Sequence, residues 1–174
     1  MTDQPADTLS VTDVIRADHQ WFRIQFATLQ EARGDTGALA SRWDALAARL
    51  ETHAAAEEAL FYPRLLSDDA YAVDETKDAV KDHNEIRDAL RDADALEVGT
   101  DVWWTAVEAA NTANSDHMTE EEEGPLPDFE RFATTEEQRE LAVAFLAFEA
   151  EHAEGEGVDR SDKDPAEYVA QHQG

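Results

Sequence analysis

The chain reads as an all-α protein: an antiparallel up-down-up-down four-helix bundle with an additional C-terminal helix and a short acidic tail. Three observations predict it. Apolar residues recur at spacings of three and four along several long stretches, the pattern of helices that bury one face. Many alanines, with 7 glycines and 5 prolines in 174 residues, favour helix. Four of the six histidines, His19, His53, His83 and His117, stand 34, 30 and 34 residues apart, each interval about the length of one long helix plus a turn.

The elements follow in order. Residues 1–9 are expected to be a disordered lead-in, 10–153 the bundle and 154–174 an acidic C-terminal tail. The first helix starts at about Ser10 or Thr12 and runs to Ala32, with Ile15, Phe22, Phe26 and Leu29 on its stripe and His19 inside it. Gly34-Asp-Thr-Gly37 breaks it, and Thr36 is the expected cap of the next helix. The second runs to about Leu66 on a seam of Leu39, Trp43, Leu46, Leu50, His53, Glu57 and Leu60. The third, from about Tyr71 to Leu96, carries Val73, Thr76, Val80, His83, Ile86 and Leu90. The fourth follows Val98-Gly99-Thr100, carries Trp103, Ala106, Ala110, Ala113, His117 and Glu121, and stops before Gly124-Pro-Leu-Pro127. A fifth starts near Thr134-Thr135, where Glu137 and Gln138 offer a capping box. Its stripe of Leu141, Phe145 and Phe148 is expected to cover the bundle. The tail is rich in glycine and charge from Glu154, ends in a helical candidate from Pro165 to His172, and reads as an appendage. Glu149-x-x-His152 reads as an ordinary surface pair near a fraying helix end.

Depth along the helices brings the histidines together. Each lies 13 to 17 residues from the turns that flank it. At a rise of ~1.5 Å per residue, antiparallel neighbours then place all four at one level to within about a helical turn. Two of them carry a glutamate four positions on, His53-Ala-Ala-Ala-Glu57 and His117-Met-Thr-Glu-Glu121, which puts both side chains on one helix face. A carboxylate in a core needs a partner, because burying it unpaired is costly. No lysine or arginine shares the depth of Glu57 or Glu121 on its own seam. The six residues His19, His53, Glu57, His83, His117 and Glu121 therefore form a candidate binuclear metal site. Imidazole and carboxylate without thiolate suit iron, manganese or zinc. Two glutamates can bridge two metals while two histidines cap each one.

Composition narrows the partners. With 41 acidic residues against 14 basic ones, a formal charge of −27, the surface repels nucleic acid and anionic membranes, so neither is expected to bind. The same acidity reads most simply as a solvated shell suited to high salt. Cysteine is absent, which excludes disulfides, thiolate metal sites and thiol nucleophiles. There is no Gly-x-Ser-x-Gly and no glycine loop for phosphate. The polar start, Met1-Thr-Asp-Gln-Pro5, and the lack of an 18-residue apolar run predict a soluble, cytoplasmic protein.

These residues carry a family resemblance. Asp18-His19, His53-Ala-Ala-Ala-Glu57-Glu58-Ala-Leu-Phe-Tyr-Pro63, Asp82-His83 and His117-Met-Thr-Glu-Glu121-Glu122, in that order, resemble the hemerythrin-like, or HHE cation-binding, domains over roughly residues 10 to 130. The resemblance implies a non-haem diiron centre, oxo- or hydroxo-bridged, with zinc or manganese as substitute metals. His19, His53, His83 and His117 would be terminal ligands, and Glu57 and Glu121 the bridging carboxylates. Oxygen-carrying members have a second histidine four residues after the first on the third helix, where this chain has Arg87. Reversible oxygen carriage is therefore not expected, and Glu58, Glu85 or water is left to fill a vacant position. The implied function is binding or reaction with a small diatomic or peroxide ligand (dioxygen, peroxide or nitric oxide) in redox or stress response. The alternative is an iron sensor or metal-handling module without catalysis. A small apolar pocket beside the metals would be lined by Ile15, Phe22, Leu50, Phe61 and Trp103.

Overall fold

The computed structural model describes residues 9–68 and 72–173, which are helical throughout their regular structure with no strand. The expected lead-in lies, apart from Leu9, outside the described residues. Helix α1 spans Val11–Leu29 and tightens into a 3₁₀ turn at Gln30–Ala32. Asp35, not Thr36, caps α2 (Thr36–Ala56), its carboxylate accepting from Ala38 N at 3.0 Å; a carboxylate at that position offers the stronger acceptor. The helix axis continues through a π-helical segment, Glu57–Phe61, into α3 (Tyr62–Asp68). Helices α4 (Ala72–Asp94) and α5 (Asp101–Glu123) follow, with Thr100 capping α5.

Gly124 does end α5, but Pro125 then opens a further helix, α6 (Pro125–Phe132). A proline at the first helical position loses no hydrogen bond, so the expected stop is also a start. Leu126 and Phe129 of α6 are fully buried. The capping box forms as expected on α7 (Thr135–Glu151), between Thr134 and Glu137.

Helices α1, α2 and α4 each pass through two apolar clusters with the histidine between them. In α1 and α4 the order is Ile15 or Val80, then His19 or His83, then Phe22 or Ile86. In α2 the order is reversed, from Leu50 through His53 to Phe61 beyond the helix end. A slab of buried polar residues thus separates two hydrophobic layers.

The tail is not an appendage. Helix α8 (Pro165–His172) packs against α3 and α4, burying Tyr168 and Val169. Asn84 clamps residue 163 from both sides, donating to Lys163 O at 2.7 Å and accepting from Lys163 N at 3.0 Å. The π segment explains part of the docking. Tyr62 N bonds Glu57 O, five residues back, so the next donor in that register would be residue 63, a proline without an N–H. Glu58 O is instead taken by Tyr168 Oη at 2.5 Å. No helix among the described residues is long and apolar enough to cross a membrane.

Candidate metal centre

All six sequence-derived residues meet in the polar slab, each at most 4% exposed. Their inner atoms form two groups that share Glu57: His19, His53, Glu57 and Glu121 in one, and Glu57, His83 and His117 in the other. Glu57 spans them, with Oε1 2.9 Å from His53 Nε2 and Oε2 3.1 Å from His83 Nε2. Glu121 Oε2 lies 3.2 Å from His19 Nε2 and 3.9 Å from His117 Nε2. His83 Nε2 and His117 Nε2 are 3.1 Å apart.

The outer ring nitrogens face carboxylates. His19 Nδ1 lies 2.8 Å from Glu122, His53 Nδ1 2.9 Å from Asp18, His83 Nδ1 2.9 Å from Glu58, and His117 Nδ1 3.5 Å from Asp82. An ionised carboxylate can only accept, so each Nδ1 is assigned the proton and each Nε2 turns a lone pair inward, the tautomer a metal ligand needs. Inside, His19 Nε2, His53 Nε2, Glu57 Oε1 and Glu121 Oε2 are buried without a hydrogen-bond partner among the described residues, although carboxylate and imidazole lie side by side. Such orphaned atoms are costly unless something else satisfies them. Two adjacent sets of nitrogen and oxygen donors, sharing a carboxylate, fit two metal cations.

The protonation balance agrees with that fit. Burial would lower the His53 pKa, yet the Glu57 charge and the Asp18 hydrogen bond hold it well above its ordinary value. His117, lowered by burial but facing the Asp82 and Glu57 carboxylates at 3.5 and 3.8 Å, is pushed up to about 10. Burial would raise Glu57, but His53 and the other imidazoles hold it well below the usual carboxylate range. The cluster demands positive charge, which a cation supplies in place of protons.

Tyr62 is a member that periodicity did not single out. It is fully buried, and its hydroxyl donates to Glu121 Oε1 at 2.9 Å and lies 3.4 Å from Glu57 Oε2. Burial and the Glu121 charge push its pKa well above ordinary, so it stays a donor that orients the Glu121 carboxylate. Neither acidic candidate for a vacant ligand position enters the centre. Glu85 is exposed and pairs with Lys81. Glu58 is buried but sits on the outer side of His83, held by both Arg87 (2.9 Å to each oxygen) and Lys163 (2.8 Å). Burial would raise its carboxyl; the His83 bond and the Arg87 charge take it down to about 2.

Arg87, 1% exposed, thus has a definite task. Glu149 is likewise not a surface residue: it is 3% exposed, 3.2 Å from Arg49, and next to Asp18. Burial and the Asp18 carboxylate raise its pKa to about 8, so it keeps a proton for Asp18 at neutral pH. His152 is turned away, its Nδ1 bonded to Glu156 O.

A repeat ties these outer partners together. Asp18, His19, Arg23, His53, Glu57 and Glu58 recur 64 positions later as Asp82, His83, Arg87, His117, Glu121 and Glu122. The pairing is crossed: Glu122 with Arg23 serves His19, and Glu58 with Arg87 serves His83. That offset is the sequence signal that would have identified Arg87 and Glu58. Of the expected apolar lining, Phe22 packs edge-on to His53 with ring centres 5.2 Å apart, as does Phe145 at 5.7 Å. Ile15, Leu50 and Phe61 are buried in the flanking clusters, while Trp103 pairs with Trp43 at 5.8 Å in one of them.

The fold and the site define an all-α bundle with a buried imidazole–carboxylate centre. A family model for the hemerythrin HHE cation-binding domain matches residues 10–129. The chain belongs to that family. No curated protein and no solved structure matches it.

Proposed function

We propose that this chain holds two iron ions as a non-haem diiron centre and that the pair binds or reacts with a small ligand such as dioxygen, peroxide or nitric oxide, in redox or stress response. The observation that carries the reading is the inward convergence of four imidazole Nε2 atoms on two buried glutamates, with inner atoms lacking hydrogen-bond partners. His19, His53, His83 and His117 would be the terminal donors, and Glu57 and Glu121 the shared carboxylates. The metal pair supplies one-electron redox chemistry and a Lewis-acidic binding point. The protein's own part is to fix the donors: carboxylates orient the imidazoles, Tyr62 orients Glu121, and the apolar layers keep bulk water out.

Because Arg87 is engaged with Glu58, the third long helix offers one imidazole to the centre. Exposure of the reduced protein to oxygen is expected to oxidise it, with no return of the ferrous form on argon purging. Anaerobic reconstitution with Fe²⁺, followed by elemental analysis and an optical spectrum, tests the centre itself. Two irons per chain are expected, and no more than trace metal would overturn the reading.

A second reading is an iron sensor or metal-handling module without catalysis. It is favoured by the acid-lined opening at His117, whose walls suit cations better than neutral gases. Metal-dependent folding without turnover of peroxide would select it.

A further inference from the structure

One opening reaches the centre from solvent on the side of α4 and α5. It is a cavity of about 320 Å³ with His117 and Glu121 among its lining residues, 3% and 1% exposed respectively. Asp82 is half-buried in its wall, and Asp78, Glu120 and Glu123 are its exposed members. No lysine or arginine lines it. Glu121 Oε2, at the buried end, has no hydrogen-bond partner among the described residues. Exposed carboxylates therefore lead to a buried oxygen that needs a cation.

The other half of the molecule shows that this arrangement is particular to one face. At the corresponding positions, 64 residues earlier, Asp78 and Glu120 are matched by Val14 and Ala56, both buried. There the face is closed: α7 packs over α1 and α2, Phe145 packs edge-on to His53, and Arg49 lies 2.6 Å from Asp18. The position matching Arg49 is Ala113, and Asp82 makes no ion pair with arginine or lysine among the described residues. The same backbone repeat is thus plugged by a cation and an aromatic ring on one side and left open, with acids, on the other.

We propose that this cavity is the entry route for hydrated divalent metal ions, with Asp78, Glu120 and Glu123 drawing the cation in and Asp82 passing it to His117 and Glu121. The inference rests on the diiron reading above. A converging set of like charges at a low-dielectric mouth raises the local concentration and arrival rate of counter-ions. Hard oxygen donors of modest affinity let the ion move on to the imidazole site. A net charge of −27 attracts cations everywhere, so the test must separate the route from the general field.

The experiment is stopped-flow uptake of Co²⁺ by the metal-free full chain, followed through the visible ligand-field bands, at low and high salt. Three proteins are compared: the unaltered chain, the triple variant Asp78→Asn, Glu120→Gln, Glu123→Gln, and a control triple variant Asp92→Asn, Glu97→Gln, Glu108→Gln. Both variants lose three surface charges, none on a centre residue. The route variant is expected to load about fivefold or more slowly at low salt and the control within about twofold, the gap closing as salt screens the charges. All three should still bind two Co²⁺ at equilibrium. Equal rates in all three, or equal slowing of both variants, would overturn the route with the centre left standing. Failure of the unaltered chain to take up two Co²⁺ would overturn the centre, and the route with it.

Discussion

The two halves related by the 64-residue offset carry the same six residues in and around the centre and place them in different surroundings. The crossed outer brace Glu122–Arg23 is part-exposed, with side chains 28% and 38% accessible. Its counterpart Glu58–Arg87 is 4% and 1% accessible, covered by Lys163 and Tyr168 of the C-terminal segment. Conversely, Asp18 is locked by Arg49 beneath α7, whereas Asp82 stands at an open, acidic cavity. The comparison teaches that a near-symmetric set of donors need not make two equivalent halves of a centre. Burial and bracing differ at each outer carboxylate, and these set how firmly each imidazole is held and what can reach it.

The largest expected effects are where the halves meet. Glu57 belongs to both donor groups and Glu121 to one. Glu57→Ala should therefore lose both metals and Glu121→Ala at least one, by elemental analysis after iron reconstitution. Retention of two metals by either variant would break the assignment.

Next in size is the contrast between Glu58 and Glu122. Glu58→Ala leaves the Arg87 guanidinium buried without its carboxylate and should cost about 3–5 kcal/mol in chemical denaturation of the metal-free protein. Glu122→Ala frees a part-exposed Arg23 and should cost about 1 kcal/mol or less. Equal losses would mean that the C-terminal segment does not seal Glu58 in solution.

A smaller contrast concerns Asp18 and Asp82. Asp18→Asn should weaken metal binding about 10–100-fold, as loss of an orienting carboxylate commonly does. Asp82→Asn should weaken it by less than about tenfold, since its contact is longer (3.5 Å against 2.9 Å) and part-exposed. Competition with a chelator reads both; a greater loss at Asp82 would reverse the ranking.

The smallest effect is a pH dependence. Burial and Asp18 raise the Glu149 pKa from 4.5 to about 8 in the folded chain. The folded state then binds the extra proton, so the stabilisation is full below about pH 4.5 and is lost as pH rises through about 8. Glu149→Gln keeps a donor and removes the titration, so it should raise Tm by a few °C at pH 9 and leave it nearly unchanged at pH 4. A variant curve parallel to the unaltered protein's would show that folding does not shift the titration of Glu149.

Much of this was legible in local pattern. The periodicity of the helices, their approximate lengths and the depth of His19, His53, His83 and His117 are properties of consecutive residues, and a rigid rise per residue turns them into positions. The four-residue step from His53 to Glu57 and from His117 to Glu121, on the buried seam of each helix, marks an acid that needs a partner. The Thr134 capping box was readable for the same reason, since its partners lie three residues apart. Even Arg87 was within reach, because its offset from Arg23 equals that between His19 and His83, His53 and His117, and Glu57 and Glu121.

What tertiary structure decided are the pairings that join distant parts of the chain. Asp18 adjoins His19 in sequence but accepts from His53, and Glu122 reaches back to His19. Glu149 and the Pro165–His172 segment read as surface in one dimension; in three, Glu149 is buried and the segment docks on the bundle through buried Tyr168 and Val169. Chain order determines which side chains share a helix face; which acid meets which imidazole, and at what dielectric, depends on how helices far apart in sequence pack and on the water that packing expels.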